Sequence, residues 1–485
     1  MNTAITRSDR RAKRKEVKIG WLNNISNIPL SWIILVVLSI FFLILPTELE
    51  FDGKLAIITF IVATYCWVVT SVPPAIVAIG AVLFLTVTRA VDQELFYSSL
   101  SSDVIWLMIG AFIVGAAMQS TGLATRLVTL LLSKANTVSG LFFLLTILIQ
   151  LLTFFIPSTS GRASVMLPIY RHLANVVGNR KVEKGLSILI PVIILIATSA
   201  TLIGASSHLI ANDYLEKFGH DKISFLTWMV WGVPFVLIAS FLACSVILYI
   251  FLDPDTRGKV TPKMADRDGR KAKLSDKEKV VLSVFSLMVA LWMTEKLHGI
   301  EIATVIMAGA LILVLPRLGV LDWRKGMESV SWSLILFVGA AVSLGEALVK
   351  TGAAEWVMDS LLIMTEGILF RGEFITLLLL SVISLTSHLY ITSHTMRVVI
   401  LMPPLLSLAL TENINAVPFV FLLAVGMNYC ITFPVSSKAL LIFSEEKGGF
   451  EAAELQKLSK VLSVIYIALM LVFYFTYWRW TGLTL

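Results

Sequence analysis

Two short polar segments interrupt long apolar runs of this sequence and share one pattern of side chains. The first reads Ser-Thr-Ser-Gly-Arg from Ser158 to Arg162, and the second reads Ser-His-Thr-Met-Arg from Ser393 to Arg397. Both carry hydroxyls at the first and third positions and arginine at the fifth, and in both a proline (Pro168, Pro403) follows ten residues after the first serine. The pattern predicts two halves of one site.

The chemistry that suits these segments is the binding of an anion. A helix that begins at such a segment presents free backbone N–H groups and roughly half a positive charge. Its hydroxyls can cap the helix or bond a ligand, and a guanidinium can pair with a carboxylate through two hydrogen bonds. Two arginines match a dianion. The candidate substrate-binding residues here are Ser158, Thr159, Ser160, Arg162, Ser393, His394, Thr395 and Arg397.

Other roles for these side chains stay open. Serine and threonine in membrane helices also bond back to the preceding turn. A charge near the middle of a membrane costs at least about 2.5–3.5 kcal/mol. For each arginine this cost could also be offset by pairing with an acid such as Glu346, or avoided by a position at the membrane interface. His208, His388 and His394 could carry protons, although hydrogen bonding is the expected role. Glu346 is also a candidate proton carrier.

The composition indicates a polytopic membrane protein. The 485 residues are 57% apolar and 15% charged, with a mean hydropathy of +0.87. The apolar residues form blocks of about 17–25 residues, as membrane-spanning helices require, without the alternation of barrel strands. The net charge of +7 lies in connecting loops and indicates orientation more than nucleic-acid binding. Cys66, Cys244 and Cys430 lack redox or zinc spacing and are expected to be small buried residues.

The apolar blocks predict the order of elements. Spans are expected at 30–47, 54–70, 75–91, 104–121, 225–251, 280–297, 301–316, 329–349 and 461–483, re-entrant hairpins at 139–176 and 372–411, and broken spans at 186–212 and 416–443. This gives about eleven transmembrane helices, and a segment around Arg126 and Lys134 suits the membrane surface. The domains are a basic N-terminus at 1–29, expected to be retained, a first half at 30–251, a charged linker at 252–279 and a second half at 280–485.

The two halves repeat each other. Thr121-Gly122 corresponds to Thr351-Gly352, and the interruption Gly-Ala-Ser-Ser-His from Gly204 to His208 corresponds to Pro-Val-Ser-Ser-Lys from Pro434 to Lys438. These interruptions add more candidate substrate-binding residues, which are Ser206, Ser207, Ser436, Ser437 and Lys438.

The distribution of Lys and Arg predicts that the two halves are inverted. With the basic N-terminus in the cytoplasm, the basic segments 171–184, 252–279 and 317–325 fall on the same side. The mouths of the two hairpins then face opposite sides. Inverted repeats with interrupted helices at matching positions are typical of secondary transporters whose site lies near the middle of the membrane.

With these residues in place, the chain resembles the divalent anion:sodium symporter (DASS) family along both halves. That family carries Ser-Asn-Thr at each hairpin tip, followed by a Met/Leu-Leu-Pro ending. Here Ser158-Thr159-Ser160 precedes Met166-Leu167-Pro168, and Ser393-His394-Thr395 precedes Leu401-Met402-Pro403. The resemblance implies a homodimer that moves di- or tricarboxylates, or sometimes sulfate, by the elevator-type motion of a hairpin-bearing domain.

The resemblance also implies binding roles. The triplets would bind carboxylate, and sodium would lie at two places whose ligands are Ser158 with Gly204, and Thr392 and His394 with Pro434. Thr159 and His394 replace the family's Asn, and the Pro-Pro-Asn that often follows in the broken spans is also replaced. Exchange of anions, with arginine and lysine cations in place of sodium, is therefore the alternative to sodium symport.

We therefore predict an all-α secondary transporter of divalent organic anions in the cytoplasmic (inner) membrane, with a cytoplasmic N-terminus. C4-dicarboxylates or citrate-like tricarboxylates are the expected substrates. Sulfate or another oxyanion, and an anion channel, are the alternatives. No grouping of His, Asp and Glu with the spacing of an enzyme's acid, base or metal site is present in the sequence. No cofactor is expected, sodium is the candidate coupling ion, and the expected partners are the anionic substrate, lipid and a second copy of the chain, with no nucleic acid.

Overall fold

The computed structural model describes residues 30–123, 126, 135–156, 158–258, 274–357, 360 and 372–485. Regular structure in these residues is helical, and no strand occurs among them. The all-α fold class predicted from the sequence is confirmed. The basic N-terminus at 1–29, Lys134 of the predicted surface segment and linker residues 259–273 lie outside the described residues.

The first half folds into helices that follow the predicted apolar blocks. They are α1 (Leu30–Ile44), α2 (Phe51–Val69), α3 (Pro74–Val87), α4 (Gln93–Leu100), α5 (Asp103–Thr121), α6 (Val138–Phe155), α7 (Thr159–Val177), α8 (Arg180–Ala197), α9 (Ser206–Lys217), α10 (Phe225–Phe251) and α11 (Pro254–Gly258). Two 3-10 turns, Thr198–Ala200 and Leu202–Gly204, separate α8 from α9. The first broken span is therefore interrupted at residues 198–205, and the prediction was wrong for Ser206 to His208, which form the first turn of α9.

The second half repeats this order. Its helices are α12 (Asp276–Met293), α13 (Glu295–His298), α14 (Ile302–Val314), α15 (Trp323–Ser329), α16 (Trp332–Lys350), α17 (Glu373–Thr386), α18 (His394–Thr411), α19 (Ala416–Met427), α20 (Lys438–Ser444) and α21 (Ala452–Phe473). A 3-10 turn follows α17 at Ser387–Leu389, and another precedes α20 at Pro434–Ser436. Each half thus contains a pair of helices separated by a polar segment, followed by a broken helix.

Seven helical segments in the described part are long and apolar enough to cross a membrane, and shorter apolar helices accompany them. Several of these helices, such as α14 and α19, are shorter than a single straight crossing requires. The expected total of about eleven spans therefore includes helices that are short or broken.

The helices form two groups. Helices α2–α5 pack with α12 and α14–α16, and we call this group, together with α1, the framework bundle. Helices α6–α10 pack with α17–α21 and form the site bundle. The core of the site bundle is α8, which is buried at every residue from 186 to 197. A helix that is apolar on all sides is stable only when it is surrounded in this way.

The packing within the site bundle follows the sequence repeat. Both α6 and α7 pack on α8, and both α17 and α18 pack on α19. Beyond the interruptions, α9 contacts α18 and α19, while α20 contacts α7 and α8. Each repeat therefore places its last short helix against the other repeat, and this interlocking brings the N-termini of α7 and α18 to one place.

An ion pair holds the far end of α7 against the loop after α20. The Arg171 guanidinium donates to both carboxylate oxygens of Glu446, at 2.9 and 2.5 Å. This hydrogen bonding lowers the pKa of Glu446 below its ordinary value.

Candidate functional site

A cavity of about 610 Å³ lies where α7 and α18 begin. The site bundle lines it with Ile156, Ser158, Thr159, Ser160, Gly161, Thr198, Ile203, Gly204, Ala205, Ser206, Leu209, Thr392, Ser393, His394, Thr395, Val435, Ser436, Ser437 and Lys438. The framework bundle lines it with Met108, Ala111, Phe112, Gly115, Ala116, Gln119, Ser329, Ser331 and Leu334. The two polar segments and both helix interruptions therefore face one cavity.

Most of the predicted site residues lie in this wall. Of the candidate substrate-binding residues, Ser158, Thr159, Ser160, Ser206, Ser393, His394, Thr395, Ser436, Ser437 and Lys438 line the cavity. Arg162, Arg397 and Ser207 do not, and all three are buried behind the wall. Of the predicted sodium ligands, Ser158, Gly204, Thr392 and His394 line the cavity, and Pro434 does not.

The first serine of each polar segment caps the helix that follows it. The Ser158 hydroxyl accepts a hydrogen bond from the Gly161 N–H at 3.2 Å, and the Ser393 hydroxyl accepts one from the Met396 N–H at 3.4 Å. Both serines have extended backbone conformations, as N-cap residues do. Two capped helix N-termini, one from each half, therefore meet at the cavity.

Hydroxyl groups join the two halves across the cavity wall. The hydroxyl oxygen of Ser206, the first residue of α9, lies 3.1 Å from the hydroxyl oxygen of Thr395 in the second polar segment. Behind the wall, the Ser207 hydroxyl donates to the Asn428 side-chain oxygen at 3.1 Å. The Asn428 amide nitrogen in turn contacts His208 and the Ser199 hydroxyl. Ser207 and Asn428 thus connect the first turn of α9 with the interruption that follows α19.

The three histidines singled out in the sequence have different surroundings. His208 hydrogen-bonds to Asn428 and to the Thr201 carbonyl, and His388 bonds to the Leu385 carbonyl and the Thr432 hydroxyl. Both lie outside the cavity wall.

His394 is the histidine that lines the cavity. Its Nε2 lies 3.1 Å from the Cys430 sulfur. Its Nδ1 has no hydrogen-bond partner within the described residues. The imidazole therefore has one buried ring nitrogen that forms no hydrogen bond within the described residues.

Arg162 is completely buried and bonded to polar groups of its own half. Its Nη1 donates to the Thr153 hydroxyl at 2.5 Å, and its Nη2 donates to the Gly204 carbonyl at 3.3 Å. Its Nε has no partner in the part of the chain that the structure describes.

Arg397 occupies a comparable position in the second half. It is completely buried, and its Nη1 donates to the carbonyls of Met427 and Tyr429, the latter at 3.1 Å. Its Nε and Nη2 have no partners across the described ranges. Both arginines therefore hold backbone carbonyls at a helix interruption.

Neither arginine forms an ion pair within the described residues. Glu346, considered as a partner, instead accepts from Lys217 at 2.9 Å and from Lys350 at 3.0 Å. Both guanidinium groups are enclosed by protein and are not exposed at its surface.

The charge around the cavity has one sign. Among the described residues that line the cavity, Lys438 is exposed and carries a charge. No Asp or Glu is among them. Two buried guanidinium groups lie behind that wall. Together with the two helix N-termini, these groups favour a negatively charged guest.

Sequence reasoning missed the polar residues that the framework bundle contributes. Gln119, Ser329 and Ser331 line the cavity from that side. Gln119 precedes the repeated Thr121-Gly122 by two residues, which was a usable signal. Asn428 was also missed, although it directly follows the apolar run that forms α19.

Comparison with protein families gives one match over nearly the whole chain. The model of the family described as "Sodium:sulfate symporter transmembrane region" matches residues 24–484. A relative in Cupriavidus necator, described only as "Membrane protein", is 27% identical over 398 residues, 79% of this chain and 76% of that one. The sodium-dependent dicarboxylate transporter SdcS of Staphylococcus saprophyticus is 26% identical over 465 residues, 88% of this chain and 87% of SdcS.

One solved structure shows the same overall fold. The crystal structure of the Alcanivorax borkumensis YdaH transporter, described as having an unusual topology, matches over 81% of this chain and 87% of that chain. The TM-score is 0.55 at 15% sequence identity. At this identity the likeness concerns the fold alone.

Proposed function

The chain belongs to the sodium:sulfate symporter family, the divalent anion:sodium symporters that its polar segments resemble, and from this premise we propose that it carries divalent organic anions. The family and the SdcS relative are membrane transporters, so this chain is a multi-pass membrane transporter and not an enzyme. We further propose C4-dicarboxylates or citrate-like tricarboxylates as substrates and the cytoplasmic membrane, with a cytoplasmic N-terminus, as the location.

The observation that carries this proposal is the sign of the charge at the cavity. Two capped helix N-termini, the exposed Lys438 and two buried arginines surround a space that no described acid lines. Each carboxylate of a dicarboxylate would accept hydrogen bonds from one helix start and its hydroxyls, at Ser158 to Ser160 and at Ser393 to Thr395. Such preformed donors fix the orientation of a ligand.

The similar proteins and the size of the cavity favour an organic dianion over sulfate. SdcS is named as a transporter of dicarboxylates, whereas the family is described by sulfate. A cavity of about 610 Å³ is within the range of small-molecule sites and leaves more room than one oxyanion fills. Sulfate remains the alternative substrate, because helix N-termini hold any dianion. An anion channel, the other alternative, would differ from a carrier because it would conduct a current without counterflow of substrate.

We propose elevator-type alternating access in a homodimer, with the site bundle moving against the framework bundle. Small and apolar residues of α5, such as Ala111, Gly115 and Ala116, form part of the framework wall and suit sliding. At the other end of α5, Lys222 of the site bundle contacts Asp103 at 2.9 Å. Lys217 of α9 contacts Glu346 of α16 in the same way. These ion pairs between the bundles would have to break when the site bundle moves.

Two modes of coupling agree with this site. The name of the SdcS relative favours symport with sodium, and the buried arginines favour exchange of one anion for another. Both modes require the same binding of a dianion, so substrate identity can be tested before coupling.

The substrate class is testable with the purified protein. We expect succinate or citrate to raise the melting temperature, because a ligand that binds only the folded state stabilises it by mass action. Sulfate, phosphate, chloride and an uncharged diamide of succinate are the comparison compounds. A shift with sulfate alone would replace the organic dianion by an oxyanion, and no shift with any dianion would contradict the proposed function.

Alanine variants of two capping serines can separate an effect on substrate binding from an effect on stability. Ser158→Ala removes a cap, which costs on the order of 1 kcal/mol, and also removes a hydroxyl from the cavity. Ser224→Ala removes the cap of α10, whose serine accepts from the Thr227 N–H at 3.2 Å and does not line the cavity. We expect both variants to melt at lower temperature and only Ser158→Ala to lose succinate affinity. Equal affinities in the two variants would exclude Ser158 from the binding site.

A further inference from the structure

Away from the cavity, a buried acid of the site bundle contacts the framework bundle. Asp213 of α9 is 1% exposed, and its Oδ1 accepts a hydrogen bond at 3.2 Å from the hydroxyl of Ser102, the N-cap residue of α5. Its Oδ2 is buried and has no hydrogen-bond partner within the described residues. Because burial disfavours the charged form of a carboxylate, this side chain requires either a nearby cation or a proton.

The cations near Asp213 are already bound to other acids. Asp103, Asp213 and Glu216 each place a carboxylate oxygen within 4.8 Å of the others. Lys222 contacts two of these acids, Asp103 at 2.9 Å and Glu216 at 2.7 Å, and Lys217 is bound by a carboxylate of α16. Asp213 itself forms no ion pair in the described part of the chain. Three acids close together with one shared ammonium group favour a proton on the most buried of them.

The position of Asp213 relative to the cavity determines where it goes when the site bundle moves. Asp213 contacts the N-terminal end of α5, whereas the cavity extends along α5 from Met108 to Gln119, close to the C-terminal end, and includes Ser331 just before α16. The cavity thus extends toward one face of the membrane and Asp213 lies toward the other. Alternating access brings the site to that other face, and the same movement would carry Asp213 past the end of α5 into water.

We propose that Asp213 is a proton-binding site at the contact between the two bundles, which binds a proton while Asp213 lies against Ser102 and releases it when the site bundle moves. The inference rests on the alternating-access movement of the proposed function. The neutral acid keeps the hydrogen bond from Ser102 and removes a buried charge that has no cation of its own. In water the aspartate ionises at neutral pH.

The proton enters and leaves on the same side of the membrane, so it does not drive transport. Its binding instead favours the arrangement in which the two bundles meet at Asp213. Acidic conditions on that side therefore stabilise this arrangement, and alkaline conditions favour movement of the site bundle away from it. The pH of one compartment thus regulates the carrier.

The first test compares melting temperatures of the full chain and of Asp213→Asn, which keeps the shape of the side chain and cannot ionise. In alkaline buffer the natural chain holds a buried charge that the variant lacks, and in acidic buffer both side chains are neutral. We therefore expect Asp213→Asn to melt above the natural chain in alkaline buffer, and the difference to shrink as the pH is lowered. A variant that melts below the natural chain in alkaline buffer would overturn the proposal, because Asp213 would then stabilise the fold as a charged group.

Asp253→Asn is the matched control in the same bundle. Asp253 is partly exposed, and its carboxylate accepts a hydrogen bond from Lys181 at 2.9 Å, which lowers the pKa of Asp253 below its ordinary value. The charged form is therefore the favoured one at this position. We expect Asp253→Asn to melt at or slightly below the natural chain in alkaline buffer, so that the sign of its effect is opposite to that of Asp213→Asn.

Counterflow of labelled succinate in proteoliposomes distinguishes this inference from the proposed function. A single titrating group changes an equilibrium by at most about tenfold per unit of pH, and we expect the rate of the natural chain to change at least about twofold more per unit than that of Asp213→Asn. The titration of succinate itself is common to both proteins and cancels in this comparison. Equal pH profiles in the two proteins would refute the proton site and leave the proposed function intact. Absence of counterflow in both proteins would contradict the proposed function, and the melting temperatures would still decide whether Asp213 binds a proton.

Discussion

Arg397→Ala is expected to weaken succinate binding by at least about tenfold, which is 1.4 kcal/mol, and to stop succinate counterflow. The substitution removes one of two buried positive charges that a dianion would balance, and truncating one partner of a buried charge pair costs about 2–5 kcal/mol. It also leaves the carbonyls of Met427 and Tyr429 without their donor. Titration of thermal stability with succinate measures the affinity, and exchange in proteoliposomes measures the transport.

Controls for Arg397→Ala separate charge from folding. Arg397→Lys keeps the charge without the planar fork, so we expect it to bind succinate more tightly than the alanine variant. Added guanidinium chloride at low concentration should partly restore binding to Arg397→Ala, since the free cation fits the space that the side chain leaves. Size-exclusion chromatography identifies a variant that fails to fold. A folded Arg397→Ala with natural affinity and exchange would contradict the assigned role.

Much of the helix order could be predicted from the sequence because a membrane limits the length of apolar blocks. The helix Phe225–Phe251 coincides with the predicted span at 225–251. The two polar segments could also be recognised from the sequence, because polar residues inside an apolar membrane block are costly and therefore indicate a function. The breaks, and the helix starts at Thr159 and His394, are determined by residues close to them in the sequence. They can therefore be recognised from the sequence alone.

The positions of the arginine side chains could not be predicted in the same way. Arg162 contacts a carbonyl 42 residues away, and Arg397 contacts one 32 residues away. Such contacts depend on how an interruption turns its backbone, which composition and spacing do not encode. Glu346 illustrates the same limit, because its partner Lys217 lies 129 residues earlier in the chain. Long-range packing therefore decides whether a buried charge faces the cavity or lies behind it.

The geometry behind the wall changes how the two arginines contribute to binding. A guanidinium in direct contact with substrate would select a carboxylate by its fork of donors. A guanidinium behind a wall of hydroxyls and backbone N–H groups contributes mainly its charge. The hydroxyls and helix N-termini would then determine the shape of the ligand, and the arginines would determine how many negative charges it carries. Monocarboxylates are therefore expected to bind more weakly than dicarboxylates of the same length.

Gly204→Ala is expected to have an effect as large as the loss of an arginine, for a steric reason. A Cβ atom at residue 204 would lie 2.0 Å from the Thr198 carbonyl oxygen, a separation that requires the backbone to move. Overpacking of this kind costs about 1–3 kcal/mol or more. The displaced segment includes the carbonyl that Arg162 holds, so succinate affinity should fall together with the melting temperature.

Gly80→Ala is the matched control, because no heavy atom lies within 4 Å of a Cβ atom added there. Gly80 is exposed within α3 of the framework bundle, and alanine in a helix interior is more stable than glycine by roughly 0.5–1 kcal/mol. We expect Gly80→Ala to melt at the natural temperature or slightly above it and to keep the natural succinate affinity. A Gly204→Ala protein that melts and binds like the Gly80→Ala protein would show that the interruption adjusts without loss. The close approach of Gly204 to Thr198 would then not be required for the site.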